Sequence, residues 1–341
     1  MNKKVTLKKL FFFFLTIFIL VGCSTNQQER KFNVKLGKDL IIKESDENEH
    51  QNFSYIRSID VDKDGSIYLL DQKKVLKFDK SGKFLWALDK HGQGPGEFQR
   101  IVDLSLSEDG RVFVADQTAR KIMIFSAIGK FMDEFKIPGG SPINIATDSQ
   151  NFVYVAFLEG TTEFLLHKYS PEGKLINSFL EGDKKEKNSL LRSAKNSFSF
   201  CVGRNDHIIV SFDYEYKILK YNTDGELIAQ WSRELPYKPQ KIKVVSPQPN
   251  WMKIEGDLIT QDITTDSYGN IYVLWGNRES ENGCMIDMFS PGGELLGNFS
   301  SSVKPISQHG TQGHFIDNSD NLYVIEPVDE PKVYRFKMMR E

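Results

Sequence analysis

The chain has 341 residues, with only three cysteines and six histidines, and neither sign of charge in real excess: 44 Lys+Arg stand against 46 Asp+Glu. The lack of a basic surplus excludes a strongly basic nucleic-acid-binding body. The longest apolar run is twelve residues, Leu10 to Val21, and a helical membrane span needs roughly 20. No long window repeats with the 3.6-residue period of an amphipathic helix, so helical architectures fail. At 40% hydrophobic and 26% charged the composition is that of an ordinary globular protein, which argues against both disorder and a polytopic membrane fold.

The charge balance is an average of two unlike parts. Residues 1–22 carry Lys3, Lys4, Lys8 and Lys9 and no acid, which leaves 40 basic against 46 acidic groups, a formal net of about −6, for the remainder. A basic start followed by a short apolar run is the pattern of an export signal. The quartet Leu20-Val21-Gly22-Cys23 resembles the bacterial lipobox, which implies acylation of Cys23 and removal of residues 1–22. Acyl chains anchor firmly because each buried CH₂ contributes about 0.8 kcal/mol. Ser24 follows Cys23 in place of the Asp that retains such proteins at the inner membrane, so the resemblance implies a lipid-anchored protein of the bacterial outer membrane. Residues 23–31 read as a tether. Contact with the membrane is expected through the lipid alone, with no nucleic-acid partner.

The remaining chain repeats. Six copies of a strand, a tight turn and a second strand recur at 59–68 (IDVDKDGSIY), 104–113, 145–154, 200–209, 263–272 and 314–323. Five are followed by a further strand pair bent at glycine, beginning at Phe78, Phe125, Tyr169, Tyr221 and Phe289. The anchors Tyr68, Phe113, Tyr154, Ile209, Tyr272 and Tyr323 lie 45, 41, 55, 63 and 51 residues apart. Four short strands per unit of this length define a propeller blade. The expected fold is therefore all-β: a six-bladed β-propeller over 32–341, with blades near 53–90, 97–138, 142–181, 196–234, 256–301 and 305–341. The sixth unit ends after Val333-Tyr334-Arg335-Phe336 matches a third strand, so residues 32–44 are expected to supply the missing outer strand and remove an open edge. In this register Cys201 falls on an inner strand and Cys284 near an outer one, and both read as buried free thiols.

The stretch Gly92-Gln93-Gly94-Pro95-Gly96-Glu97-Phe98 and the Asp-Gly runs ending at Asp71 and Asp116 resemble the six-bladed NHL-type propellers, especially propeller lipoproteins of Bacteroidetes-type bacteria. The resemblance implies fold more than function, because this architecture carries binding modules and enzymes alike. A binding module for a protein, peptide or glycan at the channel face, acting as a monomer, is the preferred expectation. A divalent-cation-dependent hydrolase or lactonase, using Ca²⁺ or a similar ion, is the alternative.

Several residue sets bear on that choice. One residue before each inner-strand anchor stand Ser58, Asp103, Asn144, Ser199, Asp262 and Gly313, a polar set that alternation should turn to the channel. In lactonase-like propellers comparable rings hold a cation, which implies Asp103, Asn144 and Asp262 as ligands and Glu97 as a base; a water-filled channel is the simpler reading. Asp60, Asp62, Asp64 and Asp71 around Gly65 echo a calcium loop, although strands flank them and the other copies lack the three acids. The glycines at 92, 94 and 96 suit a connector, with no Lys-Ser/Thr following for phosphate. Only His314 lies near the ring, with His309 close in sequence, too few for the three-histidine zinc logic of amidating propeller lyases. No Gly-x-Ser-x-Gly elbow is present. Two long connectors, 182–195 and 235–255, are expected at the channel mouth. The first reads as a solvated face and the second, with Trp251, as a partly ordered lid. Ser58, Glu97, Ser199, Gln261, His314 and Trp251 complete the expected ligand-binding face.

Overall fold

The computed structural model describes residues 34–46, 48–138, 140–157, 163–248, 251–276, 285–300, 313–326 and 330–340. Cys23, Cys284 and His309 lie outside them, as does the side chain of Trp251. The chain forms six four-stranded antiparallel sheets and one separate two-stranded hairpin. Blade 1 comprises Ile56–Val61, Ile67–Asp71, Lys74–Phe78 and Phe84–Leu88 from the inside outward. The next four begin at the inner strands Ile101–Leu106, Pro142–Thr147, Phe198–Val202 and Thr260–Thr265 and follow the same simple meander.

The sixth sheet departs from that order as the sequence predicts. His314–Ile316, Asn321–Glu326 and Lys332–Arg340 are completed by Val34–Ile42, which pairs antiparallel with the C-terminal strand from Val34 opposite Arg340 to Ile42 opposite Val333. A bulge between Lys38 and Leu40 interrupts this pairing. Arg335 clamps the junction through Asp39, with its Nε 3.0 Å from Oδ1.

The second strands explain where the core sits. Ile67–Asp71, Val112–Asp116 and Val153–Phe157 are buried at every position, because both faces of a blade are covered by its neighbours. The outer strand Phe131–Lys136, by contrast, has no buried residue. The hydrophobic clusters form between blades: Tyr68, Leu70 and Val75 of blade 1 pack with Leu104, Val112 and Val114 of blade 2, and Tyr323, Ile325 and Val333 of blade 6 close onto blade 1. The core is thus a cycle of interfaces around an axis.

Two features depart from the expected all-strand picture. The connector at 182–195 contains the helix Ser189–Lys195, capped by Asn188, whose side chain accepts from the amides of Leu190 and Leu191. The expected lid is a hairpin of Lys243–Gln248 with Trp251–Glu255, and the helix packs against it.

In blades 2 to 5 the turn between third and fourth strands carries a glycine that fits against an aromatic ring of the preceding blade: Gly129 on Trp86, Gly173 on Phe135, Gly225 on Phe179 and Gly293 on Trp231. At Gly173, with φ of +85°, an added Cβ would lie 2.3 Å from Phe135 Cγ, whereas at Gly110, φ +83°, the nearest neighbour would be 4.0 Å away. Both positions carry the left-handed penalty of about 1–2 kcal/mol, but only Gly173 adds overpacking of about 1–3 kcal/mol. Chemical denaturation should therefore show Gly173→Ala losing about 2–5 kcal/mol and Gly110→Ala only about 1–2 kcal/mol; equal losses would contradict this account of the interface.

Candidate functional site: an acidic axial channel

Six inner strands converge on the axis with one edge each unpaired by any neighbouring strand, and buried edge amides need partners. Side chains supply them. Asp103 of blade 2 accepts from its own neighbour Leu104 N at 2.9 Å and from Ile145 N of blade 3 at 2.7 Å. Asp60 of blade 1 likewise joins Val61 N and Leu106 N of blade 2. Asp262 of blade 5 accepts from Ile263 N and from Gly313 N and His314 N of blade 6. Ser58 hydrogen-bonds Asp103, and Ser199 Oγ donates to Gln261 O of blade 5 at 3.3 Å.

Of the six polar positions expected in the channel, Ser58, Asp103, Asn144 and Asp262 are on the cavity wall, whereas Ser199 and Gly313 are not among its lining. Ser58, Asp103, Asn144 and Asp262 each follow a register slip in the pairing of inner with second strand, and such bulges re-aim a side chain. At this level four blades reach forward to the next through Ser58, Asp103, Ser199 and Asp262. Gly313 has no side chain to do so. Asn144 lines the cavity with Oδ1 buried and lacking a hydrogen-bond partner.

Burial is the largest influence on Asp60 and raises its pKa to about 7, with the Leu106 and Val61 amides opposing and the Asp103 and Asp62 charges adding to the rise. Asp103 also sits at about 7, raised by burial and by Asp262 against its three hydrogen bonds. Cys201 lines the same wall. It is a free thiol and half-buried rather than fully enclosed, and burial followed by the Asp262 charge pushes it well above the usual thiol range.

This level belongs to a cavity of about 730 Å³ that extends to the turns joining inner to second strands. Eleven Asp or Glu and three Lys or Arg line it, so the cavity is acidic. Many of these acids are structural as well. Asp148 accepts from Gln150 N and Phe152 N and from Tyr154 Oη. The same arrangement recurs as Asp62 with Tyr68, Asp266 with Tyr272 and Asp317 with Tyr323. Asp64 and Glu108 are exposed at the mouth, and neither forms an ion pair among the described residues.

Other expected site residues are placed apart from the channel. Asp71 stands at the opposite end of blade 1 from Asp62, paired with Ile56 in register and accepting from the amides of Ser54 and Tyr55. Asp60, Asp62, Asp64 and Asp71 therefore do not converge as a calcium loop. Glu97 accepts from Gly94 N and closes over Gly92 in the connector between blades 1 and 2, away from the cavity lining. Gln261 is buried and donates to Gly276 O. His314 is fully buried, its Nδ1 3.2 Å from Asp262 and its Nε2 lacking a partner. Among the described residues no three of His, Cys, Asp and Glu are grouped to hold a metal ion.

The turn aspartates were visible in the sequence without being recognised. Where an Asp precedes the anchor by six residues the anchor is Tyr; where Ser107 or Gly203 takes that place it is Phe113 or Ile209. The phenol and the carboxylate occur together because each is the other's buried partner.

Fold and channel together define a six-bladed β-propeller with an acidic axial cavity. A sequence family described as a domain of unknown function (DUF4934) matches residues 46–203. No curated protein matches the chain. Among solved structures, virginiamycin B lyase from Staphylococcus aureus is similar at 14% identity and a TM-score of 0.52, covering 90% of this chain and all of that one. A candidate exported protein from Bacteroides fragilis aligns at 10% identity and a TM-score of 0.57, over 90% of this chain and 95% of its own. The WD40 repeats of RRP9 align at 10% identity and a TM-score of 0.52, over 89% and 100%. At such identities the likeness is one of fold.

The raised carboxyls carry a sign. A group whose folded pKa exceeds its unfolded value contributes stability that is complete below the unfolded pKa, near 3.8, and is lost as pH rises through about 7. Between pH 6 and pH 8 each of Asp60 and Asp103 should withdraw about 1 kcal/mol. Urea unfolding across that range should show the native protein weakening with pH and an Asp60→Asn, Asp103→Asn double variant responding much less; parallel profiles would refute the assignment.

Proposed function

We propose that the chain is a cell-envelope binding protein, lipid-anchored at Cys23 in the outer membrane, whose channel receives a cationic segment of a protein, peptide or amino-bearing glycan. The observation that carries this reading is the cavity of about 730 Å³ with eleven acidic against three basic lining residues. Low-dielectric walls of one charge sign concentrate ligands of the other. The address draws on the export-like start and Gly22-Cys23, with Ser24 rather than Asp following. The fold-level likeness to the candidate exported protein from Bacteroides fragilis agrees with it. Among the described residues no helix is long and apolar enough to cross a membrane.

Fluorescence anisotropy with a Lys/Arg-rich peptide and an Asp/Glu-rich counterpart tests the proposal. The cationic peptide should bind, and more tightly at pH 8 than at pH 6 by up to about tenfold as Asp60 and Asp103 ionise. Replacing the mouth acids by Asp64→Asn and Glu108→Gln should weaken it. Indifference to peptide charge would defeat the reading.

One observation favours a second reading, the cation-dependent hydrolase. Asn144 Oδ1 is an unpartnered acceptor on the wall that also bears Asp103 and Asp262. The fit is partial, because both carboxylates already accept backbone amides and Ca²⁺ takes roughly six to eight oxygens; no reaction step follows from it. A calcium or manganese titration of melting temperature decides. A rise by mass action that disappears in Asn144→Ala would support the ion, and an unchanged melting point would remove it.

A further inference from the structure

At the other end of the inner strands the charge reverses. A second cavity, of about 490 Å³, opens where blades 1 and 2 meet, and its walls include Arg57, Lys73, His91 and Arg100 together with Gln72 and Gln99. Arg57 leads into the blade 1 inner strand one residue before Ser58, and Lys73 lies in the turn after Asp71. Pairing of Ile56 with Asp71 fixes both at this end, away from the turn at Asp62 and Asp64. His91 and Arg100 belong to the connector between the blades, where the His91 ring meets the Phe98 ring edge-on at 5.8 Å.

Among the described residues no carboxylate is paired with Arg57, Lys73 or Arg100. The two carboxylates best placed to pair with them are committed to amides: Asp71 to Ser54 N and Tyr55 N, Asp116 to Gln99 N, Arg100 N and Ala119 N. Arg57, Lys73 and Arg100 form no ion pair among the described residues, and Arg57 Nε is buried with no hydrogen-bond partner. The Arg57 guanidinium rests over the Tyr55 ring at 5.4 Å, which fixes its direction. Burial is the largest influence on Arg57 and lowers its pKa; the Arg100 charge acts the same way, against Tyr55 and Asp71. Holding these like charges near one another costs Coulomb energy that an anion would recover.

We infer that this cavity is a binding site for a small organic oxyanion carrying hydroxyl groups, of the size of one or two sugar rings, such as a sugar acid or a sugar phosphate. A planar guanidinium pair with an ammonium is the donor set that carboxylate and phosphate oxygens fit, often in bidentate fashion. Gln72 and Gln99 add amides able to both donate to and accept from hydroxyls. The site is separate from the acidic channel and stands or falls without it.

Isothermal titration calorimetry on the full-length protein in detergent would use glucuronate, glucose 6-phosphate, neutral glucose and inorganic phosphate as probes. One or both sugar anions should bind and glucose should give no heat; which of the two binds more tightly identifies carboxylate or phosphate as the preferred anion. Arg57→Gln, and separately the exposed Arg100→Gln, should each weaken binding about tenfold or more, with unchanged far-ultraviolet circular dichroism confirming the fold. Three results would overturn the inference: heat from neither sugar anion, inorganic phosphate binding as tightly as glucose 6-phosphate, or full affinity retained in both variants.

Discussion

Everything in this ring depends on how six strand edges are satisfied at the axis. A blade's inner strand is hydrogen-bonded on one side only, and its other edge faces five similar edges across a narrow space. Backbone cannot pair with backbone there, so short acidic and hydroxylic side chains reach from one blade to the next, as Asp103 does to Ile145 N and Asp262 to Gly313 N. A carboxylate is suited to this because its two oxygens can serve amides on two strands at once.

That use of aspartate shapes what the channel can do. Several of the wall acids that give the cavity its charge are the same groups that tie the blades, so any ligand they met would meet groups already serving the ring. Asp60 and Asp103 sit near the neutral range because burial outweighs the amides they accept. Acids without an ion pair among the described residues lie further out, at Asp64 and Glu108. The opposite end applies the same economy in reverse, since Asp71 and Asp116 are absorbed by backbone and leave nearby arginines unneutralised.

Much of the architecture was legible because repetition is a sequence property: aliphatic pairs after Asp-Gly turns and glycines at fixed offsets mark blades whatever the ligand. Closure by the first strand was legible too, since a third strand ending at Phe336 demands a partner and residues 32–36 alternate. The site was legible only as a register. That Ser58, Asp103, Asn144 and Asp262 share a level follows from alternation, but which of them bond to a neighbouring blade depends on bulges that no local pattern announces. Asp71 looked like the end of a calcium loop because spacing along the chain does not show that a hairpin carries it to the far end of its blade. Arg57 and Arg100 are 43 residues apart in the chain, and nothing in either segment alone marks them as neighbours. The helix Ser189–Lys195 escaped detection because seven residues are too few to establish a period.

The closing strand is also a long-range one. Asp39 and Arg335, which clamp it, are 296 residues apart in sequence, so their pairing closes a loop that spans the ring. Until then Val34–Ile42 is an unsatisfied edge seeking a partner, and blade 6 offers the complementary one. Loss of either strand would leave the other as an open blade edge, so the integrity of the whole ring rests on one long-range pairing.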